Sequence, residues 1–202
     1  MPKTTFMNLN DEKSEHVYNI LIEAFYNKNV SQVTVSEIVD ALEMSRGAFY
    51  KYFDDIYDAY HTTVKKCAAA IHGKIMQSIQ ENEHDFLTGL NEYLLWCADL
   101  DQTSTDWKKI QLLTLSNANI YAKRTLKPEN FKDSNIVNDW VELLEANTFH
   151  FDSNEEAFYF LYYIERLVIT SLQDFVINKW STEELLKDFS YKKKWIINGI
   201  KK

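Results

Sequence analysis

The sequence predicts an all-α protein with two domains, on three observations. Turn residues are scarce: average usage would give about 14 Gly and 10 Pro at this length, whereas the 202 residues hold 4 and 2. Sandwiches and barrels need many chain reversals and disordered tails are rich in Pro and Gly, so these classes are excluded. Apolar residues recur at three- and four-residue spacing, with no strand-like alternation and no internal repeat. Ser, Thr, Asp or Asn stands repeatedly just ahead of such a stretch, as helix N-caps do. A hydrophobic share of 46%, with 12 Phe, 12 Tyr and 5 Trp, supplies one core or two, and the length favours two domains.

Along the chain, Val17, Ile20, Leu21, Ala24 and Phe25 give a helical stripe over 11–28, with Asn29 as its left-handed C-cap. Thr34-Val35-Ser36-Glu37 is a capping box, with Val33 and Ile38 as its hydrophobic staple; the short helix it opens turns Ile38, Val39 and Leu42 inward. Ser45 caps a second short helix, Arg46 to Phe53, and Asp54 or Asp55 caps a long one from Ile56 to Ser78. Helices follow over 85–99 and 106–126, and Pro128 suits the first position of another that ends near Asn147. Two further capping boxes, Ser153 to Glu156 and Ser181 to Glu184, open the last two helices, the second with Trp180 and Leu185 as staple.

Several functions are excluded. A net charge of −8 argues against a globally basic nucleic-acid or membrane-surface binder. The N-terminus lacks a signal-peptide apolar run, and no stretch approaches 18 uncharged apolar residues, so a cytoplasmic chain without membrane contact is expected. Cys67 and Cys97 match no metal or redox spacing and read as buried free thiols. No phosphate loop, Gly-x-Ser-x-Gly elbow or His-Glu-x-x-His occurs. Glu81-x-x-His84 is a single Glu-x-x-His in a polar connection, where a di-iron bundle needs two. No cofactor, metal site or enzymatic activity is expected.

One pair of helices has a pattern that packing does not explain. Thr34–Leu42 and Ser45–Phe53 are two short helices joined by a tight turn, the layout of a helix-turn-helix. In the second, Phe49 and Phe53 share an anchoring face, while Arg46, Gly47, Tyr50 and Lys51 point elsewhere. They offer charge, close backbone approach and aromatic hydroxyls, which a DNA groove surface needs. Met44 to Phe53 carries two cations and no carboxylate.

Thr34-Val35-Ser36-Glu37-Ile38, followed by Ser45-Arg46-Gly47-Ala48-Phe49-Tyr50-Lys51-Tyr52-Phe53, resembles the signature of the tetracycline-repressor (TetR) family of transcriptional regulators. The Gly-x-x-Tyr-x-Tyr-Phe core is its specific part. The resemblance implies a dimeric, ligand-responsive repressor without enzymatic activity that binds a pseudo-palindromic operator in double-stranded DNA. It places Arg46, Ala48 and Lys51 at base edges and Thr34, Ser36, Tyr50 and Tyr52 at phosphates, with Ser45 and Gly47 completing the DNA-binding set. Three positions depart from the family pattern: Glu43 stands where Gly is common in the turn, Ile56 where Lys is usual, and Ala48 where Thr is common.

The expected organisation is a helix-turn-helix domain over 10–70, with its recognition helix near 45–53, and a helical ligand-binding and dimerisation domain over 71–202. All five Trp fall in the second. Candidate effector residues are Phe86, Tyr93, Trp96, Trp107, Gln111, Asn117, Tyr121 and Trp140, a set suited to a small hydrophobic or aromatic molecule. The helix from Ser153 to Trp180 is apolar on two sides, so one side faces its own core and the other a partner subunit. With the last helix it gives the candidate dimer surface: Phe158, Leu161, Tyr162, Val168, Ile169, Leu172, Phe175, Val176, Phe189 and Ile196. A two-fold dimer would hold two recognition helices about 34–36 Å apart. Effector binding is expected to repack the helix from Ile56 to Ser78 and change that spacing. The alternative is a helical interaction protein of the same fold that has lost specific DNA binding, which the acidic residues Asp54, Asp55 and Asp58 would favour.

Overall fold

A computed structural model describes residues 2–115 and 135–199. Among these residues there are ten α-helices and one 3-10 turn, with no strand. The helices are α1 (Thr4–Met7), α2 (Asp11–Phe25), α3 (Val35–Ala41), α4 (Arg46–Tyr52), α5 (Ile56–Glu81), α6 (Phe86–Ala98), α7 (Thr105–Leu115), α8 (Asn135–Ala146), α9 (Asn154–Asn178) and α10 (Thr182–Asn198). The chain is all-α, as its composition and periodicity require.

Most helix starts follow the local chemistry. Thr34 Oγ1 accepts from the Glu37 N–H and the Glu37 carboxylate accepts from the Thr34 N–H, a complete capping box; Ser181 and Glu184 form another. Ser45 caps α4, Asp85 caps α6, and Asp55 accepts from the Asp58 N–H at the start of α5. Three expectations are corrected. The first helix stops at Phe25, Asn27 takes the left-handed conformation (φ 58°), and Asn29 instead caps the 3-10 turn Val30–Gln32. Ser153 does cap α9, but the Glu156 carboxylate accepts from the Asp152 N–H rather than from Ser153, so only half a box forms. The long α5 runs on to Glu81. The expected helices over 106–126 and from Pro128 lie partly outside the described residues.

The helices divide into two units. The first runs to His72 and also includes α7. Its core is built on Leu21, Phe25, Ile38, Phe49, Phe53 and Cys67, none of them exposed. Within it α3 packs on α2 and α4, and α7 packs along α2. Trp107, Ile110 and Leu112 turn inward from α7. Lys108 fastens that helix to α2, pairing with the Glu23 carboxylate and lying 5.2 Å from the centre of the Tyr26 ring. Periodicity gives α7 an apolar face without saying what covers it, and so does not place α7 in this unit. Burial pushes the Cys67 thiol up to about 11, so it stays protonated near neutral pH.

The second unit begins at Gly73 and contains α6, α8, α9 and α10. Phe86, Leu90, Leu94, Ile164, Leu172, Leu185 and Phe189 lie at its core. Between α9 and α10, Lys192 pairs with Asp188 and donates to Ser171 Oγ at 2.7 Å, which meets the polar demand of a buried hydroxyl. In the turn from α5 to α6, Glu83 and His84 have φ of 56° and 64°. Asn147 braces that turn, donating to the His84 carbonyl oxygen at 2.7 Å and accepting from the Phe86 N–H at 2.8 Å.

Candidate nucleic-acid interface

The site starts from the turn between α3 and α4. After Ala41, the Leu42 N–H closes the helix on the Ile38 carbonyl, and Glu43 enters the left-handed region with φ 50°. That conformation brings the Met44 N–H onto the Val39 carbonyl oxygen at 3.0 Å, and Ser45 then caps α4. A non-glycine residue there costs roughly 1 kcal/mol or more. Glu43→Gly is therefore expected to stabilise the chain by about 0.5–1 kcal/mol, part of the relieved strain being offset by the freer unfolded glycine. Urea unfolding would show this as a higher midpoint at unchanged slope.

Two aromatic anchors orient α4. Phe49 and Phe53 are wholly buried, 5.5 Å apart between ring centres, which turns the remaining residues outward. Ser45, Arg46, Gly47, Tyr50 and Lys51 are exposed; Ala48 and Tyr52 are half-buried. On α3, Thr34 is exposed and Ser36 half-buried. Arg46 donates to Ser36 Oγ, joining candidates from both helices of the motif. A cation in the first turn opposes the helix dipole, and no acidic residue lies in that turn to offset it. Helix stability therefore does not account for Arg46. The half-buried Tyr52 has its ring 5.6 Å from that of Phe6.

The segment before Asn10 escaped the sequence reading. Lys3 and α1 fold onto α4: the Lys3 N–H donates to the Tyr52 carbonyl oxygen at 2.9 Å, and Lys3 Nζ to that of Tyr50 at 2.8 Å. Phe6 is buried between Tyr18 and Phe53, with ring centres 5.3 and 4.8 Å away. One helical turn has too few residues for periodicity; Asn10 as an N-cap, followed by Asp11 and Glu12, was the available sign that 3–9 forms a separate piece.

The chain matches two family descriptions. "Bacterial regulatory proteins, tetR family" matches residues 22–58, and "Tetracyclin repressor-like, C-terminal domain" matches residues 85–200, more than half of the chain. The chain belongs to the TetR family. It is thus a DNA-binding transcriptional regulator and not an enzyme. Among solved structures, a TetR family transcriptional regulator from Chloroflexus aurantiacus J-10-FL is 18% identical, at a TM-score of 0.48, covering 98% of this chain and 91% of that one. No curated protein matches. Among the described residues of this TetR family member, no helix is long and apolar enough to cross a membrane.

The candidate effector residues fall into two groups. Phe86 and Tyr93 are buried in the second unit, with Trp140 edge-on to Phe86 at 6.3 Å and Trp96 5.8 Å from Tyr93. Trp107 and Gln111 lie on α7 in the first unit; Asn117 and Tyr121 lie outside the described residues. An open cavity of about 660 Å³ at the turn from α5 to α6 is lined by Glu81, Asn82, Glu83, His84, Asp85, Thr88, Ala146 and Asn147, with none of the candidates among them.

The candidate dimer residues also separate. Val168, Leu172 and Phe189 are buried by their own unit, so they have no face to give a partner, a correction to the sequence reading. Phe158, Leu161, Tyr162, Ile169, Phe175, Val176 and Ile196 are half-buried. Tyr159, Tyr163, Ile177, Tyr191, Trp195 and Ile197 are exposed, between 44% and 66%; Ile197 extends the apolar stripe of the last helix, whereas the other five lie on the rim, which periodicity does not find.

Proposed function

We propose that this regulator is a dimeric, ligand-responsive repressor whose α4 reads a pseudo-palindromic operator. The observation carrying the reading is the division of α4: Phe49 and Phe53 are wholly buried, while Arg46, Gly47, Tyr50 and Lys51 are exposed. In this reading residues 10–70 form the DNA-binding domain and 71–202 the effector and dimer domain. Arg46, Ala48 and Lys51 meet base edges; Thr34, Ser36, Tyr50 and Tyr52 hold phosphates; and Ser45 and Gly47 complete the set, Gly47 letting the backbone approach. The half-buried stripe of α9 and the exposed aromatic side chains of α9 and α10 support association with a second copy. A small hydrophobic or aromatic effector acts through α5, which contributes residues to both units. A ligand that repacks α5 changes the spacing of two readers, coupling effector and operator affinities reciprocally.

Selection of genomic fragments by the purified chain tests the reading. A pseudo-palindrome bound by two chains is expected. A bound sequence without two-fold symmetry, carrying one chain, would contradict the dimer. The alternative interaction protein would select no sequence.

A further inference from the structure

We propose that Lys3 is a positioning residue for operator binding: its ammonium, held at once by the Tyr50 carbonyl oxygen and the Asp54 carboxylate, sets the C-terminal end of the recognition helix and cancels the charge of the carboxylate beside it. The proposal rests on the operator reading of α4.

The geometry begins with the length of α4. Seven residues make fewer than two turns, too short for a helix to persist on its own propensity, so its direction depends on the buried Phe49 and Phe53 and on what grips its ends. The first end is capped by Ser45. At the other end the last-turn carbonyls lack intrahelical partners, and Phe53 serves one of them by donating to Phe49. Lys3 serves two more, the Tyr52 oxygen through its backbone N–H and the Tyr50 oxygen through its ammonium. These are the carbonyls on either side of Lys51, the cation assigned to a base edge. Lys3 is itself held in place by Phe6, which is 3% exposed.

The electrostatics point the same way. Asp54, Asp55 and Asp58 follow α4 directly, and unpaired carboxylates there would repel phosphates. Asp55 and Asp58 accept from backbone N–H groups of this corner. Asp54 is 2.9 Å from Lys3 Nζ, and the hydrogen bond from Lys3 holds its carboxyl below the usual range. Both side chains are well exposed, so the pair adds little to folding stability. Its effect lies in the placement and field of the helix that it ends.

The test uses the full chain and the operator that it selects, with Lys3→Met, Lys3→Arg and Lys3→Met/Asp54→Asn beside the unmodified protein. Lys3→Met is expected to weaken operator binding about tenfold, with the melting temperature and the dependence of log affinity on log salt unchanged. Lys3→Arg is expected to bind within about threefold of the unmodified chain. Adding Asp54→Asn to Lys3→Met should recover part of the loss, because the liberated carboxylate is removed. Unchanged affinity in Lys3→Met would overturn the proposal. A salt slope smaller by about one phosphate contact would overturn it too, by making Lys3 a direct phosphate ligand. A melting temperature that falls in step with affinity would reduce Lys3 to a structural role. A chain that selects no sequence would remove both this role and the operator reading.

Discussion

Gly89→Ala is expected to lower the melting temperature by about 6–12 °C, although alanine is the better helix former. Gly89 lies buried in α6 where that helix crosses the end of α5. A Cβ there would sit 2.4 Å from Ile79 Cα, 2.5 Å from its Cγ1 and 2.8 Å from its N. Two of those atoms are backbone, so no side-chain rotation relieves the clash and the helices must separate. Overpacking of this kind costs up to about 3 kcal/mol, occasionally more, and each kcal/mol moves the midpoint by about 2–4 °C at this size. Gly73→Ala is the internal control, because its Cβ would meet nothing within 4 Å; it should stabilise by about 0.5–1 kcal/mol. Equal thermal shifts in the two variants would contradict the close helix crossing.

Gly47→Ala should have the opposite signature: a fold as stable or more so, and an operator bound at least tenfold more weakly. Gly47 is in α4 and exposed. Its added Cβ would meet only Ser45 Oγ, at 3.8 Å, an ordinary contact. The protein interior therefore gives no reason for glycine at a helical position where alanine is better by about 1 kcal/mol. Close approach of the backbone to DNA does give one: a methyl group would hold the helix away from the groove and strain its neighbours' hydrogen bonds. Tenfold corresponds to about 1.4 kcal/mol. Thermal unfolding and operator titration on the same preparation check both halves. Undiminished operator affinity would show that the backbone at Gly47 does not approach the DNA closely.

What the sequence revealed and what it hid follow from the range of the forces involved. The boxes at Thr34 and Ser181 and the caps at Ser45 and Asp55 are local hydrogen bonds between residues three apart, and they are legible. Asn29 and Glu156 were misread because a neighbouring N–H offered each side chain an equally local partner. The outward set of α4 was legible from the spacing of Phe49 and Phe53. Lys3 was not, since its partners Tyr50 and Asp54 are about fifty residues away along the chain. The placement of α7 and the inward turn of Val168, Leu172 and Phe189 are likewise tertiary facts. Net charge is too coarse a scale for the partner: residues 1–66 are themselves acidic, with seven Lys+Arg against ten Asp+Glu, whereas distant charges are screened beyond about 8 Å and α4 is cationic. Under the proposed operator reading, weak nonspecific DNA binding is expected, with specificity left to a few contacts around Arg46 and Lys51.

Reading of DNA by α4 is tested most directly by selection from genomic fragments at two salt concentrations, run in parallel for the unmodified chain and Lys51→Ala. The expected result is one enriched pseudo-palindrome, bound much more weakly at the higher salt, with Lys51→Ala reducing its affinity by about 1–3 kcal/mol while the fold is unchanged. Enrichment of no sequence, with Lys51→Ala indistinguishable from the unmodified chain, would contradict it.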